Sequence, residues 1–218
     1  MKRGFTLSEL LLSLTIVGIV AVLTVPVLIN NIQKKLFSTQ IKNMAAEIEQ
    51  LAQDLLLSNR TRDLADTDFG DPEKLLSDDH FSISKTCGKE QSLANCWKTS
   101  ATGKDKVTYK SLNKSDVDLA NGLTIILKNG VMLRYDLQSN DGKTLGRFAV
   151  DVNGNDKPNI FGRDFFNFYI TPKGHIVDIS TVNSENADLN TKISKCKTES
   201  DASYCYGALV DNNWKMDY

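Results

Sequence analysis

The chain has 218 residues, 41% of them hydrophobic and 24% charged, with 26 basic against 27 acidic side chains and a net charge of −1. That length holds one membrane anchor and one modest soluble domain. The balanced charge excludes the broadly basic surface of a general nucleic-acid binder, which favours a pI above about 9.

Residues 1–30 read MKRGFTLSELLLSLTIVGIVAVLTVPVLIN. Lys2, Arg3 and Gly4 precede Phe5, and Glu9 follows. Leu10 to Ile29 then carries no formal charge, a stretch of about 20 residues, enough to cross a bilayer at roughly 1.5 Å per residue. A secretory signal has its small-residue cleavage site after the apolar run. Here Thr24-Val25-Pro26-Val27 leads straight into a polar helical pattern, and the small residue available for cutting is Gly4, before the run. Cleavage there leaves the membrane helix on the mature chain, starting at Phe5. Lys2 and Arg3 hold the N-terminus in the cytoplasm, so the remainder lies outside the inner membrane. Glu9 is the anomaly, because a carboxylate at the edge of a membrane helix is costly without a partner.

Gly4-Phe5-Thr6-Leu7-Ser8-Glu9-Leu10 resembles the prepilin leader-and-cleavage motif of type IV pilins and type II secretion pseudopilins. Pro26 falls where that family commonly has a helix-interrupting proline. The resemblance covers about the first quarter of the chain. It implies that a prepilin peptidase cuts after Gly4 and methylates Phe5. It also implies a pilin-like α+β fold and assembly with other copies or paralogous pilin subunits on an inner-membrane platform. The product is a periplasmic or cell-surface filament, and the chain is a substrate of the peptidase rather than an enzyme. Cleavage gives Phe5 a new α-amino group, positive at neutral pH. In a staggered helical filament this amine meets the Glu9 of a neighbour. Pairing in a poorly solvated core fixes register more than it adds stability.

Phe5 to about Leu57 reads as one helix. Residues 5–29 form its membrane and assembly half, and residues 30–58 form an amphipathic half with a stripe at Ile41, Met44, Ile48, Leu51 and Leu55. Gly18 has low helix propensity, and Pro26 removes a backbone donor and clashes with the preceding turn. Gly18 to Pro26 is therefore expected to be the weakest stretch of the helix, or simply kinked. Residues 59–218 form the soluble head. Asn59 to His80 is a polar connector with a helical turn at Pro72 to Leu76, and its Asp78-Asp79-His80 cluster reads as solvated loop. Segment 81–118 reads as irregular.

Between about residues 122 and 179 the pattern turns to strands. Leu123–Lys128 and Val131–Leu137 flank Asn129-Gly130, which suits a two-residue type I′ hairpin turn. Arg147–Val152, Phe165–Ile170 and His175–Ile179 complete an antiparallel sheet of four to five strands against the helix. Segment 180–218 reads as polar loop.

Cys87, Cys96, Cys196 and Cys205 allow three disulfide connectivities in an oxidising compartment. Local pairing, Cys87–Cys96 and Cys196–Cys205, ties two polar segments that have little apolar content to hold them. A spacing of nine residues, with no nearby histidine, argues against zinc.

The candidate chemical site is the loop from Asp151 to Asp164. Asp151, Asn153 and Asn155 put oxygens at alternate positions, as at the start of an EF-hand, and Asp164 is placed to close a calcium site. Asp156 and Gly162 occupy positions that an EF-hand gives to Gly and Glu, and no helices flank the loop. The alternative is a turn held by Asx hydrogen bonds. No nucleophile-elbow, zinc-protease or phosphate-loop pattern occurs. Two functions follow. One is a structural subunit of a type IV pilus-like or type II secretion pseudopilus filament. The other is a monomeric single-pass anchored receptor or binding module with an extracytoplasmic calcium-dependent head.

Overall fold

The computed structural model describes residues 6–138, 143–198 and 203–218. Helix α1 runs from Leu7 to Ser58, 52 residues, and passes through Gly18 and Pro26 without a break. The chain divides into two units, Met1–Leu36 and Phe37–Tyr218. In the first, the large apolar side chains from Leu7 to Leu36 are 47–76% exposed. Among the described residues, α1 is the one helix long and apolar enough to cross a membrane. In its apolar run the hydroxyls of Ser13, Thr15 and Thr24 fold back on the backbone. Thr15 Oγ1 donates to Leu11 O at 2.7 Å, and Thr24 Oγ1 donates to Val20 O at 2.9 Å. In lipid such bonds spare each hydroxyl an unmet donor.

The second unit is α+β. After α1 come α2 (Pro72–Leu75), β1 (Ile83–Cys87), α3 (Ser92–Asn95), β2 (Tyr109–Lys110) and β3 (Asp116–Val117). Then follow β4 (Thr124–Leu127), β5 (Met132–Leu137), β6 (Gly146–Asp151), β7 (Phe165–Ile170) and β8 (Ile176–Val177). The helices α4 (Ile179–Val182), α5 (Leu189–Thr198) and α6 (Ser203–Asp211) close the chain. Six strands form one antiparallel sheet in the order β1-β4-β5-β6-β7-β8, and β2-β3 is a separate pair.

Two segments differ from the sequence reading. Part of 81–118 is ordered as β1, which pairs with β4 and makes a sixth strand. Its ISKTC sequence buries only Cys87 fully, so no alternation marks it. Segment 180–218, expected as polar loop, carries three helices. In α6 every residue from Ser203 to Leu209 is buried. A helix covered on all sides shows no apolar stripe to reveal it.

The β4–β5 connection is also corrected. Leu127 N donates to Val131 O at 2.8 Å, and Gly130 N donates to Leu127 O at 2.9 Å. The loop is therefore Lys128-Asn129-Gly130, and of the three only Gly130 has positive φ, at +90°. A type I turn followed by a left-handed glycine replaces the expected type I′ turn.

Strand pairing sorts the side chains onto two faces. Leu133, Tyr135, Phe148, Val150, Phe166 and Phe168 share one face by register and are all buried. Phe148 stacks on Phe168 at 5.5 Å, and Phe168 meets Tyr206 of α6 at 5.0 Å. The stripe of α1 that joins this cluster is Phe37, Ile41, Met44, Ala45, Ile48 and Ala52, with Leu51 and Leu55 at its margin. Ile41 and Ile48 are fully buried, and each such side chain contributes about 1.5–3 kcal/mol. The chain end fastens to α1 as well: Ser38 Oγ donates to Trp214 O, and the Lys42 ammonium lies 5.6 Å from the Trp214 ring centroid.

The opposite face is polar at its centre. Arg134 pairs across to Ala149 and Asn167, and Asp136 to Arg147 and Tyr169. Trp97, Tyr109, Phe161 and Phe165 cluster at one end of that face with centroid separations of 4.2–6.2 Å. Both disulfides are local, Cys87–Cys96 and Cys196–Cys205. The first ties the end of β1 to the residue after α3, and the second joins α5 to α6.

Candidate functional site

Two groups of sequence-selected residues occupy separate places. Glu9 stands in the first turn of α1. Its Oε2 accepts from Thr6 N at 2.8 Å and from Thr6 Oγ1 at 2.9 Å, and Glu9 N donates back to Thr6 Oγ1 at 3.3 Å. Thr6 and Glu9 thus form a reciprocal capping box that satisfies donors at the helix start. Glu9, expected to lack a partner within its own chain, has one in Thr6. The signal was present, since Thr-x-x-Glu before an apolar run is the capping-box pattern. Glu9 Oε1 has no hydrogen bond among the described residues, so one carboxylate oxygen stays free to meet a cation. Gly4 and Phe5 lie outside the described residues. Gly18 and Pro26 lie inside the continuous helix.

The second group surrounds the loop between β6 and β7. Asp151 and Asp164 are fully buried. Tyr109 donates its hydroxyl to Asp151 Oδ2 at 2.6 Å, and Asn153 N donates to Asp151 Oδ1 at 3.1 Å. Asp164 accepts from Asn159 N and Ile160 N, each at 2.7 Å. Asn153 Nδ2 donates to Asp156 O at 2.8 Å and Lys157 O at 3.1 Å, and Asn155 Nδ2 donates to Cys96 O at 2.8 Å. The amide oxygens Oδ1 of Asn153, Asn155 and Asn159 are buried without a hydrogen-bond partner among the described residues.

Burial pushes the Asp151 carboxyl well above the ordinary carboxylate range, and the nearby Asp164 charge pushes it further. Burial likewise raises Asp164, to about 6, against the pull of backbone donors. Two desolvated carboxylates that repel each other favour a proton or a cation between them. The donor set present, hard oxygens from carboxylates and amides, suits calcium rather than a soft metal. Among the described residues no group of three His, Cys, Asp or Glu side chains comes together. Any ion here would therefore draw on the asparagine oxygens.

Glycine shapes this loop at two points. Gly154 has φ +67°, and a Cβ there would stand 2.8 Å from Gly130 O. Gly162 has φ +81°, and a Cβ there would meet the Cys205 and Cys196 sulfurs at 2.9 and 3.0 Å. The loop is thereby pressed against the β4–β5 turn on one side and the second disulfide on the other.

His80, read as solvated and without a partner, is held by Asp68. Its Nε2 lies 2.8 Å from Asp68 Oδ2, and its side chain is 12% exposed. The pair fastens the connector before β1.

Residues 1–25 match the family described as the prokaryotic N-terminal methylation motif. Comparisons with curated proteins and with solved structures found no match. The matched segment is the prepilin motif of type IV pilins and pseudopilins, and proteins that carry it are structural subunits. The motif and the long apolar helix together fit an inner-membrane-anchored precursor.

Proposed function

We propose that the chain is a structural subunit of a type IV pilus-like or type II secretion pseudopilus filament, and not an enzyme. A prepilin peptidase cleaves it between Gly4 and Phe5 and methylates Phe5. The mature subunit then leaves the inner membrane by packing its N-terminal helix against those of neighbouring subunits. The observation that carries this reading is the methylation motif on a helix whose apolar surface from Leu7 to Leu36 has no covering partner among the described residues. In the membrane lipid covers that surface, and in a filament other helices do.

Glu9 links processing to assembly. Its Oε2 is engaged by Thr6, and its Oε1 is available for the Phe5 amine of an adjacent subunit. The uncleaved precursor has no amine at that position. An unpaired carboxylate carried into the filament core would be strongly unfavourable, so the pair selects processed subunits in one register.

Deletion of the prepilin peptidase tests the reading against a monomeric anchored receptor. The intact mass of the chain should increase by residues 1–4 and lose one methyl group relative to the parent strain. An identical mass in both strains overturns the filament reading.

We also propose that the loop from Asp151 to Asp164 binds calcium, through Asp151, Asp164 and the amide oxygens of Asn153 and Asn155. The supporting observation is the set of buried amide oxygens without partners beside two buried carboxylates. The ion would neutralise the repulsion between the carboxylates and hold β6 to β7.

A further inference from the structure

The polar face of the sheet contains a second arrangement that neither filament assembly nor the proposed calcium site uses. Arg134, Arg147 and Asn167 point to one side by strand register. With Leu119, Phe161 and Phe165 they line an open cleft of about 390 Å³. Arg134 Nε donates to Asp136 Oδ2 at 2.9 Å, and Arg147 Nη2 donates to the same oxygen at 3.2 Å. One carboxylate therefore serves two guanidinium groups, of which Arg134 is only 3% exposed. The cleft floor keeps one positive charge in excess, on a buried Arg134 and a 26% exposed Arg147, which favours a further anion.

Two polar atoms in the cleft lack partners. Arg147 Nε and Asn167 Oδ1 are buried and make no hydrogen bond among the described residues. Asn167 is 5% exposed. A buried donor or acceptor left unmet is costly. One atom calls for an acceptor and the other for a donor. Their residues are diagonal neighbours across β6 and β7, so their Cα atoms are about 7–8 Å apart, within reach of one small molecule. At the mouth stand the exposed carboxylates Asp116 and Asp118, with the Lys110 ammonium 3.5 Å from Asp116. This layout, positive below and negative above, disfavours a polyanion and fits a zwitterion. The stacked Phe161–Phe165 pair, 4.2 Å between centroids, offers an apolar wall.

We propose that this cleft binds a free apolar α-amino acid. The ligand carboxylate pairs with the guanidinium of Arg147, whose side chain is 26% exposed. Its α-nitrogen donates to Asn167 Oδ1 and faces the acidic mouth, and its side chain lies on the aromatic wall. Guanidinium is suited to carboxylate because its N–H groups are planar and fixed in direction.

The full chain in detergent is titrated calorimetrically with L-leucine, leucinamide, 4-methylpentanoate, a leucine-ending tripeptide and inorganic phosphate. L-leucine should bind saturably. Leucinamide and 4-methylpentanoate, each missing one charged group, should bind at least about tenfold more weakly. Arg147→Lys and Asn167→Leu should each weaken leucine by a similar factor. The tripeptide, whose C-terminal leucine carries an amide in place of the α-ammonium, should bind more weakly than leucine, and equal or tighter binding overturns the proposal. Should either variant fail to fold, the wild-type comparison of leucine with leucinamide still decides. No binding of leucine at millimolar concentration overturns the proposal. Leucinamide or phosphate binding as tightly as leucine also overturns it.

Discussion

At the scale of single residues, the two carboxylate oxygens of Glu9 are placed differently, and under the proposed function they have separate roles. Oε2 closes the capping box with Thr6, and Oε1 is left for a partner. The anomaly was legible in the sequence because a lone carboxylate borders an uncharged run. The cap is equally legible in the spacing Thr6-x-x-Glu9. The β6–β7 loop was legible as a cluster of oxygen side chains, whereas their burial was not. Only the fold shows that Asp151 and Asp164 are fully buried, or that Tyr109, 42 residues away in sequence, donates to Asp151. Both sequence alternatives for this loop have a physical basis. Asn153 N to Asp151 Oδ1 is an Asx bond, while the unmet asparagine oxygens favour an ion. Thermal melting of the full chain with calcium and with chelator separates them. Free calcium at 100 times its dissociation constant should add about 2.7 kcal/mol of stability, and Asp164→Asn should abolish that response. Identical melting with calcium and chelator would mean a hydrogen-bonded turn and no ion.

At the scale of elements, legibility followed local periodicity. β5 and β6 alternate or are broadly apolar, β7 is aromatic-rich, and all were anticipated. β1 and α6 were not, because β1 buries one residue in five fully and α6 is buried on every side. What seats the C-terminal helices is an ion cluster assembled from three elements. Lys192 of α5 lies 3.0 Å from Asp178 Oδ2 and 2.8 Å from Asp211 Oδ2 of α6. α6 approaches so closely that a Cβ on Gly207 would stand 1.8 Å from Asp178 Oδ2. Burial by itself would raise the Asp178 carboxyl, but the Thr181 and Ser180 hydroxyls and the Lys192 ammonium outweigh it and hold it below the ordinary value of 3.8. A carboxyl held lower in the folded state stabilises the fold above pH 3.8 and loses that contribution as pH falls through its folded value. The melting temperature should therefore drop more steeply below about pH 4 in the wild type than in Asp178→Asn. Lys192→Met, which leaves Asp178 buried without its cation, should cost about 3 kcal/mol at neutral pH. Parallel melting curves for wild type and Asp178→Asn across this range would show that the cluster contributes nothing.

At the scale of the whole molecule, the two units differ in what their surfaces require. The head encloses its own core, with Phe148, Phe168 and Tyr206 joined to the buried stripe of α1. The unit Met1–Leu36 presents apolar side chains outward along its helix, and that surface is satisfied only by lipid or by other subunits. In the sequence an unbroken apolar run gives way to a striped run at residues 29–30 of one helix, whereas the two units divide after Leu36. The sequence did not reveal the open cleft on the polar face, which depends on strands β5, β6 and β7 bringing Arg134, Arg147 and Asn167 side by side. The central claim is that Glu9 admits processed subunits to a filament. Its most direct test is the amount of chain in sheared filaments relative to the membrane fraction for wild type, Glu9→Leu and Thr6→Ala. Thr6→Ala removes the cap, worth about 1 kcal/mol, but keeps the charge. Wild type and Thr6→Ala should both enter filaments, while Glu9→Leu should insert into the membrane normally and be nearly absent from filaments. Normal incorporation of Glu9→Leu, or loss of Thr6→Ala equal to that of Glu9→Leu, would contradict the account.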